Sequence, residues 1–273
     1  MIYKIKKIYF LIAYLTSFTS FNVRPLYSSA TILNCDSKIP KGIPCLIKAS
    51  SYKVEIERID ICPKNPFPDF RTSPNYAGSL CLNLYDKKIN SDRLKLTNNL
   101  KLEIPEEKFD DSEYNYISII FKNKFTVSGK YTTNEYSWNT GKKGPKNILK
   151  EKDNSKVPEK FSEKLKNWRG ANNSDNKYCD NNGGTFSRCD LNYNGYKLTA
   201  IGLNENLLET YGEKTKFLFY NVELSPPITL NKNKKGTIDL KLQRNLEVYG
   251  DGKDVKSISV APLIFRALFT EIQ

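Results

Sequence analysis

The chain contains no histidine. That removes the imidazole on which Ser-His-Asp and Cys-His catalysis depend, and histidine metal sites with it. Ser50-Ser51-Tyr52-Lys53 has the S-x-x-K spacing of some serine hydrolases. Those residues work from a helix, where i and i+3 share a face. Here they open a strand, where i and i+3 point oppositely. Carboxylates gather at Asp110-Asp111 with Glu113, and Asp175 and Asp180 lie beside Asn-Gly turns. A hard cation takes such oxygens, but neither group has the D-x-[DN]-x-[DN]-G spacing of a calcium loop, so solvated turns are expected. Carboxylate pairs for glycoside hydrolysis need a defined separation in space, which linear order does not supply. No metal, cofactor or catalytic set is expected, and the chain reads as a non-enzyme. Tyr136 and Trp138, in NEYSWNT, are the residues suited to stacking on a sugar ring or a base. The competing reading packs them on the edge of a β-sandwich.

The six cysteines, Cys35, Cys45, Cys62, Cys81, Cys179 and Cys189, all follow a signal-like N-terminus. Lys4, Lys6 and Lys7 form a basic start, and Ile8 to Val23 is uncharged and apolar. Ser28 and Ala30 are small residues at the positions a signal peptidase reads. At 16 residues the apolar run falls short of the roughly 20 needed to span a bilayer, so cleavage after residue 30 is expected. No transmembrane span is expected after it, and the mature chain is expected to be secreted or periplasmic. An even cysteine count in an exported chain reads as disulfides. Spacing favours Cys35–Cys45, Cys62–Cys81 and Cys179–Cys189, each closing a short loop worth roughly 3 kcal/mol. Zinc would want C-x2-C spacing or histidines, and the chain has neither.

Removing residues 1–30 takes away Lys4, Lys6, Lys7 and Arg24 and no acid, so the net charge falls from +13 to +9. A basic exported protein meets anionic polysaccharide, lipid headgroups or nucleic acid. The plainer reading is a lysine-rich surface that keeps the protein soluble.

These residues must be positioned by strands. Ser51 to Cys62, SYKVEIERIDIC, is the clearest one. Tyr52, Val54 and Ile56 alternate with Lys53, Glu55 and Glu57, then a step of three to Ile59 predicts a β-bulge. Further strands are expected at Cys45–Ile47, Cys81–Tyr85, Leu94–Leu96, Leu100–Ile104, Tyr114–Phe121, Tyr196–Ile201, Thr215–Leu224 and Ile238–Leu242. Asn123 is expected to turn the chain into a hairpin partner carrying Phe125 and Val127, which makes residues 43–131 one antiparallel meander. Pro226-Pro227 is expected to break the chain, and Pro262 to interrupt a last strand over Ser257–Phe269. The spacing predicts an all-β antiparallel sandwich, one domain over residues 31–273. Two β domains split near residue 135 are the alternative.

Residues 132–178 depart from that pattern. They are charged and poor in large apolar residues, and read as a partly helical or mobile surface insertion. Pro158 at a first helical position, followed by Phe161, Leu165 and Trp168 at i, i+4 and i+7, predicts a short amphipathic helix. Lys142, Lys143, Lys146, Lys150 and Lys152 give the segment a positive field, and it is expected to be the least stable part and the contact surface. Asn172-Asn173-Ser174 matches a glycosylation sequon.

The segments SYKVEIERIDIC and NLKLEIPEEKFDDSEYNYISIIFKNKFTVSGKY, with the later NVELSPPITL and VAPLIFRALF, resemble uncharacterised secreted bacterial proteins with a carbohydrate-binding-like, transthyretin-type β-sandwich. The resemblance implies the sandwich and brings no catalytic residues. The cysteine count, signal and Asn/Lys richness also resemble six-cysteine surface proteins of apicomplexan parasites, but the chain ends without their long apolar tail. The expected function is that of an exported structural or cell-surface protein. The alternative is a binding module for glycan or anionic polymer. The partner is then a cell-surface glycan or another envelope protein, with no specific nucleic acid.

Overall fold

The computed structural model describes residues 34–42, 44–67, 73–88, 95–96, 99–104, 111–166, 187–193, 196–230 and 235–272. The signal-like segment, Asp110, Trp168, Asn172-Asn173-Ser174, Asp175, Cys179 and Asp180 lie outside them. The strands are β1 (Cys45–Ile47), β2 (Ser51–Cys62), β3 (Leu82–Asp86), β4 (Lys95–Leu96), β5 (Asn99–Ile104), β6 (Glu113–Ser128), β7 (Lys130–Thr132), β8 (Ser137–Gly141), β9 (Gly144–Glu151), β10 (Phe161–Glu163), β11 (Arg188–Tyr193), β12 (Tyr196–Leu203), β13 (Phe217–Thr229), β14 (Lys235–Gly250) and β15 (Val255–Ile272). A single 3-10 turn, Gly212–Lys214, is the only helical piece among the described residues. No helix there is long and apolar enough to cross a membrane.

The strands form an antiparallel β-sandwich. The larger sheet runs β11-β12-β13-β6-β2-β3, with β4 beside β2 and β10 beside β6. The second sheet is β1-β14-β15, with β5 also on β14. Each long strand therefore takes two shorter ones end to end along one edge. β14 holds β1 at Leu246–Val248 and β5 at Gly236–Lys241. β6 holds β13 along residues 113–122 and β10 along residues 125–127.

The inner faces meet in one core. Ile59 and Ile61 of β2, Ile117 and Ile119 of β6, and Tyr220 and Val222 of β13 pack with Leu240, Leu246, Val248 and Ile258 of the β14–β15 hairpin. All are essentially inaccessible to solvent, and each such side chain contributes roughly 1.5–3 kcal/mol of burial. The register of β2 against β6 shifts on either side of Ile56, which is the bulge its sequence foretells.

β7, β8 and β9 make a third, small sheet that follows directly from β6. Gly129 is the joint between them. A Cβ there would collide with Leu246 Cδ1, so the chain passes this close to the opposite sheet only because the residue is glycine.

Several expectations fail for identifiable reasons. β6 does not turn at Asn123. It runs on to Ser128, with Asn123 buried and its amide serving neighbouring backbone. Asn123 Nδ2 donates to Leu165 O (2.7 Å) and Thr215 O (3.1 Å), and Oδ1 accepts from Leu165 N (2.9 Å). These three bonds offset the usual cost of asparagine in a strand. Residues 43–131 are not one meander either, because β1 and β5 cross to the other sheet and join β14. Both larger sheets draw strands from before and after residue 135, so the division into two β domains does not match the topology.

The expected helix does not form among the described residues 158–166. Phe161 is buried in β10, directly opposite Val127. Residues 137–141 are all buried, so the front of the supposed insertion is core rather than surface loop. Neither Pro226-Pro227 nor Pro262 ends its strand. Pro226-Pro227 falls in a bulge of β13 between Glu223 and Ile228, and Pro262 in a bulge of β15 between Val260 and Ile264. A bulge leaves a backbone position out of the ladder, so the missing N–H costs nothing there.

Cys35–Cys45 and Cys62–Cys81 are disulfides. Cys189 is disulfide-bonded as well, and Cys179, its expected partner, lies outside the described residues. The Cys62–Cys81 bridge ties the end of β2 to the residue before β3. From the loop it closes, Phe67 packs on Phe219, with ring centroids 5.4 Å apart, in a second cluster with Ile120, Ile201 and Leu203. Asn65 accepts from Asn221 Nδ2 at 3.1 Å.

Candidate anion-binding surface

Between residues 142 and 166 the sequence has nine lysines and four acids. The fold sorts them. β9, β10 and the turns that flank them bring all nine lysine side chains to the surface, while Glu151, Glu159 and Glu163 are half-buried. Glu151 accepts from Asn139 Nδ2 (2.6 Å) and Lys156 N (3.1 Å). Glu159 accepts from Lys142 N (3.1 Å), and Glu163 from Val260 N (2.7 Å). Burial raises the Glu163 carboxyl above the usual range, against the lowering effect of that Val260 bond. Asp153 is exposed but holds a turn through Ser155, whose hydroxyl and N–H bonds lower its carboxyl.

The acids therefore serve the fold and the lysines face water. Lys142 pairs with Glu159, Lys150 with Asp254 (both 3.6 Å), and Lys166 with Glu213. Exposed pairs of this kind are worth little. Lys143, Lys146, Lys152, Lys156, Lys160 and Lys164 make no ion pair among the described residues.

The patch continues onto the outer face of the large sheet. Ser162 of β10 stands opposite Thr126 of β6, which stands opposite Lys53 of β2. The Ser162 and Thr126 hydroxyls are 3.3 Å apart, and those of Ser51 and Ser128, one row along, 2.8 Å apart. Lys124 extends the same face of β6 and is exposed, as are Lys53, Lys160 and Lys164. The acid at the margin, Glu55, is held by Lys87 at 2.6 Å with Lys122 at 4.0 Å.

Trp138 is buried rather than presented to solvent. It is 1% exposed, its ring centroid 5.7 Å from that of Tyr131 and 5.9 Å from that of Tyr136. Its Nε1–H donates to Asp254 Oδ1 at 2.6 Å. Burial pushes the Asp254 carboxyl up, and this bond with the Lys150 charge outweighs it, leaving a net lowering. Tyr136 is half-buried beneath the Lys150 ammonium, 4.3 Å from its ring centroid. The two rings pack against each other at the root of the lysine surface. Of the S-x-x-K match, Ser50 immediately precedes β2 and Lys53 is the third residue of that strand. Asp111 and Glu113 are both exposed, and no group of three or more Cys, Asp or Glu able to hold a metal occurs among the described residues.

One charged constellation escapes sequence reading. On the outer face of the large sheet Arg58 and Asp60 of β2 pair at 2.7 Å, with Asp60 fully buried. Asn83 Nδ2 donates to Asp60 Oδ1 (3.0 Å), Asp86 accepts from Arg58 Nη1 (3.1 Å), and Tyr76 lies 4.1 Å from the guanidinium. Arg188 and Asp190 of β11 repeat the pair at the far edge, 3.1 Å apart. The R-x-D spacing puts both side chains on one face of a strand and is the only signal the sequence carries. In each pair one partner, Asp60 or Arg188, is buried and the other, Arg58 or Asp190, is partly exposed. No family model, curated protein or solved structure matches the chain.

Proposed function

We propose that this chain is an exported, non-enzymatic β-sandwich protein that binds an anionic polymer through the lysine surface of residues 142–166. One observation carries the reading: acids are interspersed among the lysines from Lys150 to Lys164, yet the fold exposes all nine lysines of the stretch and half-buries three of its four acids. A stretch that only promoted solubility would expose both signs in comparable number, whereas here Asp153 is the one fully exposed acid against nine lysines. A single-sign field steers and holds a polyanion. The Cys35–Cys45 and Cys62–Cys81 disulfides support an oxidising compartment, where the partner is a cell-surface glycan or another envelope polymer.

The test is a variant carrying Lys146→Gln, Lys152→Gln, Lys156→Gln and Lys160→Gln, compared with one carrying Lys101→Gln, Lys197→Gln, Lys253→Gln and Lys256→Gln. Both lose the same charge. At about 0.15 M salt, where screening acts over about 8 Å, the first is expected to weaken binding to a sulfated polysaccharide at least tenfold and the second less than threefold. Equal losses would assign the effect to bulk charge and refute a local site.

A further inference from the structure

Resting on that reading, we infer that the outer face of β10, β6 and β2 is a subsite for sulfate or phosphate esters on a polysaccharide. The register fixes a small grid. Its middle row is Ser162, Thr126 and Lys53, one residue from each strand. On the same face, Lys160 and Lys164 lie two residues either side of Ser162, and Lys124 two residues from Thr126. Strands are about 4.8 Å apart, and alternate residues about 6.8 Å apart. The four ammonium groups thus surround a patch roughly 10 Å by 14 Å, too wide for one anion and suited to successive charges on a chain. Lys164 also feels the exposed carboxylate of Glu213, whose direct partner is Lys166.

The hydroxyls at the centre distinguish this patch from the rest of the lysine surface. In the Thr126–Ser162 pair one proton bridges the two oxygens, at 3.3 Å, and the other remains available. The site thus offers an O–H donor flanked by cations, and the second oxygen offers lone pairs to a sugar hydroxyl. An ester oxyanion beside sugar hydroxyls uses both. A nucleic acid would engage the cations and could also stack its bases, but among the described residues the patch presents no aromatic ring.

The experiment uses the full mature chain with three polymers of one backbone: dextran sulfate, dextran phosphate and carboxymethyl dextran. Thr126→Val with Ser162→Ala removes the hydroxyls at constant charge, in shapes a strand accepts. It is expected to lower affinity for the sulfate or phosphate polymer threefold to tenfold and to leave carboxymethyl dextran within twofold. Whichever ester loses more is the source the site selects. Lys124→Gln with Lys164→Gln is expected to lower affinity about tenfold and the log–log salt slope by roughly 0.7 per lysine. Unchanged ester binding in both variants, alongside a loss in the four-lysine variant of residues 146–160, would overturn the subsite and leave the wider reading standing. Absence of binding to all three dextrans by the unmodified protein would end both. Single-stranded DNA bound as tightly as either ester polymer, and indifferent to the hydroxyl variant, would also overturn the inference.

Discussion

Trp138→Ala is expected to lower stability by about 3–5 kcal/mol, the cost of an unfilled aromatic cavity. Trp138 is fully buried and in contact with Tyr131 and Tyr136, and it joins the small sheet to the main core cluster. Its truncation also removes the indole donor of Asp254, which keeps its bonds to Val255 N and Lys150. Because Asp254 is partly solvated, losing the indole bond alone costs less. Trp138→Phe is therefore expected to cost about 1–2 kcal/mol, chiefly the hydrogen bond and the smaller ring. Urea unfolding followed by far-ultraviolet circular dichroism measures both. Trp138→Phe is also expected to leave polyanion affinity within twofold, since a buried ring touches no ligand. A tenfold loss in a stably folded Trp138→Phe protein would restore the stacking role.

The second large effect is expected at the buried Arg58–Asp60 pair. Asp60→Ala leaves the guanidinium over Tyr76 without its closest acid. Breaking a buried pair costs about 3–5 kcal/mol, and the 27% exposure of the Arg58 side chain brings the expectation to about 2–4 kcal/mol. The pH dependence separates charge from packing. Burial raises the Asp60 carboxyl, and its bonds to Arg58 and Asn83 only partly restore it. A carboxyl raised on folding holds its proton more tightly in the native state, so its contribution to stability declines as pH climbs from the unfolded value through the folded one. Arg58→Met removes the largest opposing bond and raises that carboxyl further. The deficit of Arg58→Met relative to the unmodified protein is thus expected to be small near pH 4 and to widen toward pH 7. A deficit independent of pH would show that Arg58 acts through packing alone.

What the sequence made legible follows from how local each signal is. β2 could be read residue by residue, bulge included, because alternation and the phase step at Ile56 are local. β10 could not. Three residues are too few to show a period, and the Phe161–Leu165 spacing fits a helix as well as a strand whose Phe161 meets Val127. Asn123 looked like a turn because its three amide bonds reach partners 42 and 92 residues away. The proline pairings were misread for the same reason, since a bulge is defined by the neighbouring strand.

The candidate site divides in the same way. The run from Lys142 to Lys152 was plain in the sequence. That Glu151, Glu159 and Glu163 turn toward backbone N–H groups was not, because Glu163 meets Val260 across 97 residues. Nor was the Thr126–Ser162 hydroxyl pair, which forms only when β10 docks on β6.

The central claim is tested most directly by lysine footprinting. The protein is acetylated with and without a saturating sulfated polysaccharide, and each lysine is quantified by mass spectrometry. The account predicts that Lys146, Lys152, Lys156, Lys160 and Lys164 are protected severalfold, while Lys101, Lys197 and Lys253, elsewhere on the surface, are modified at their free rates. Protection spread evenly over all exposed lysines, or centred on those three, would contradict it.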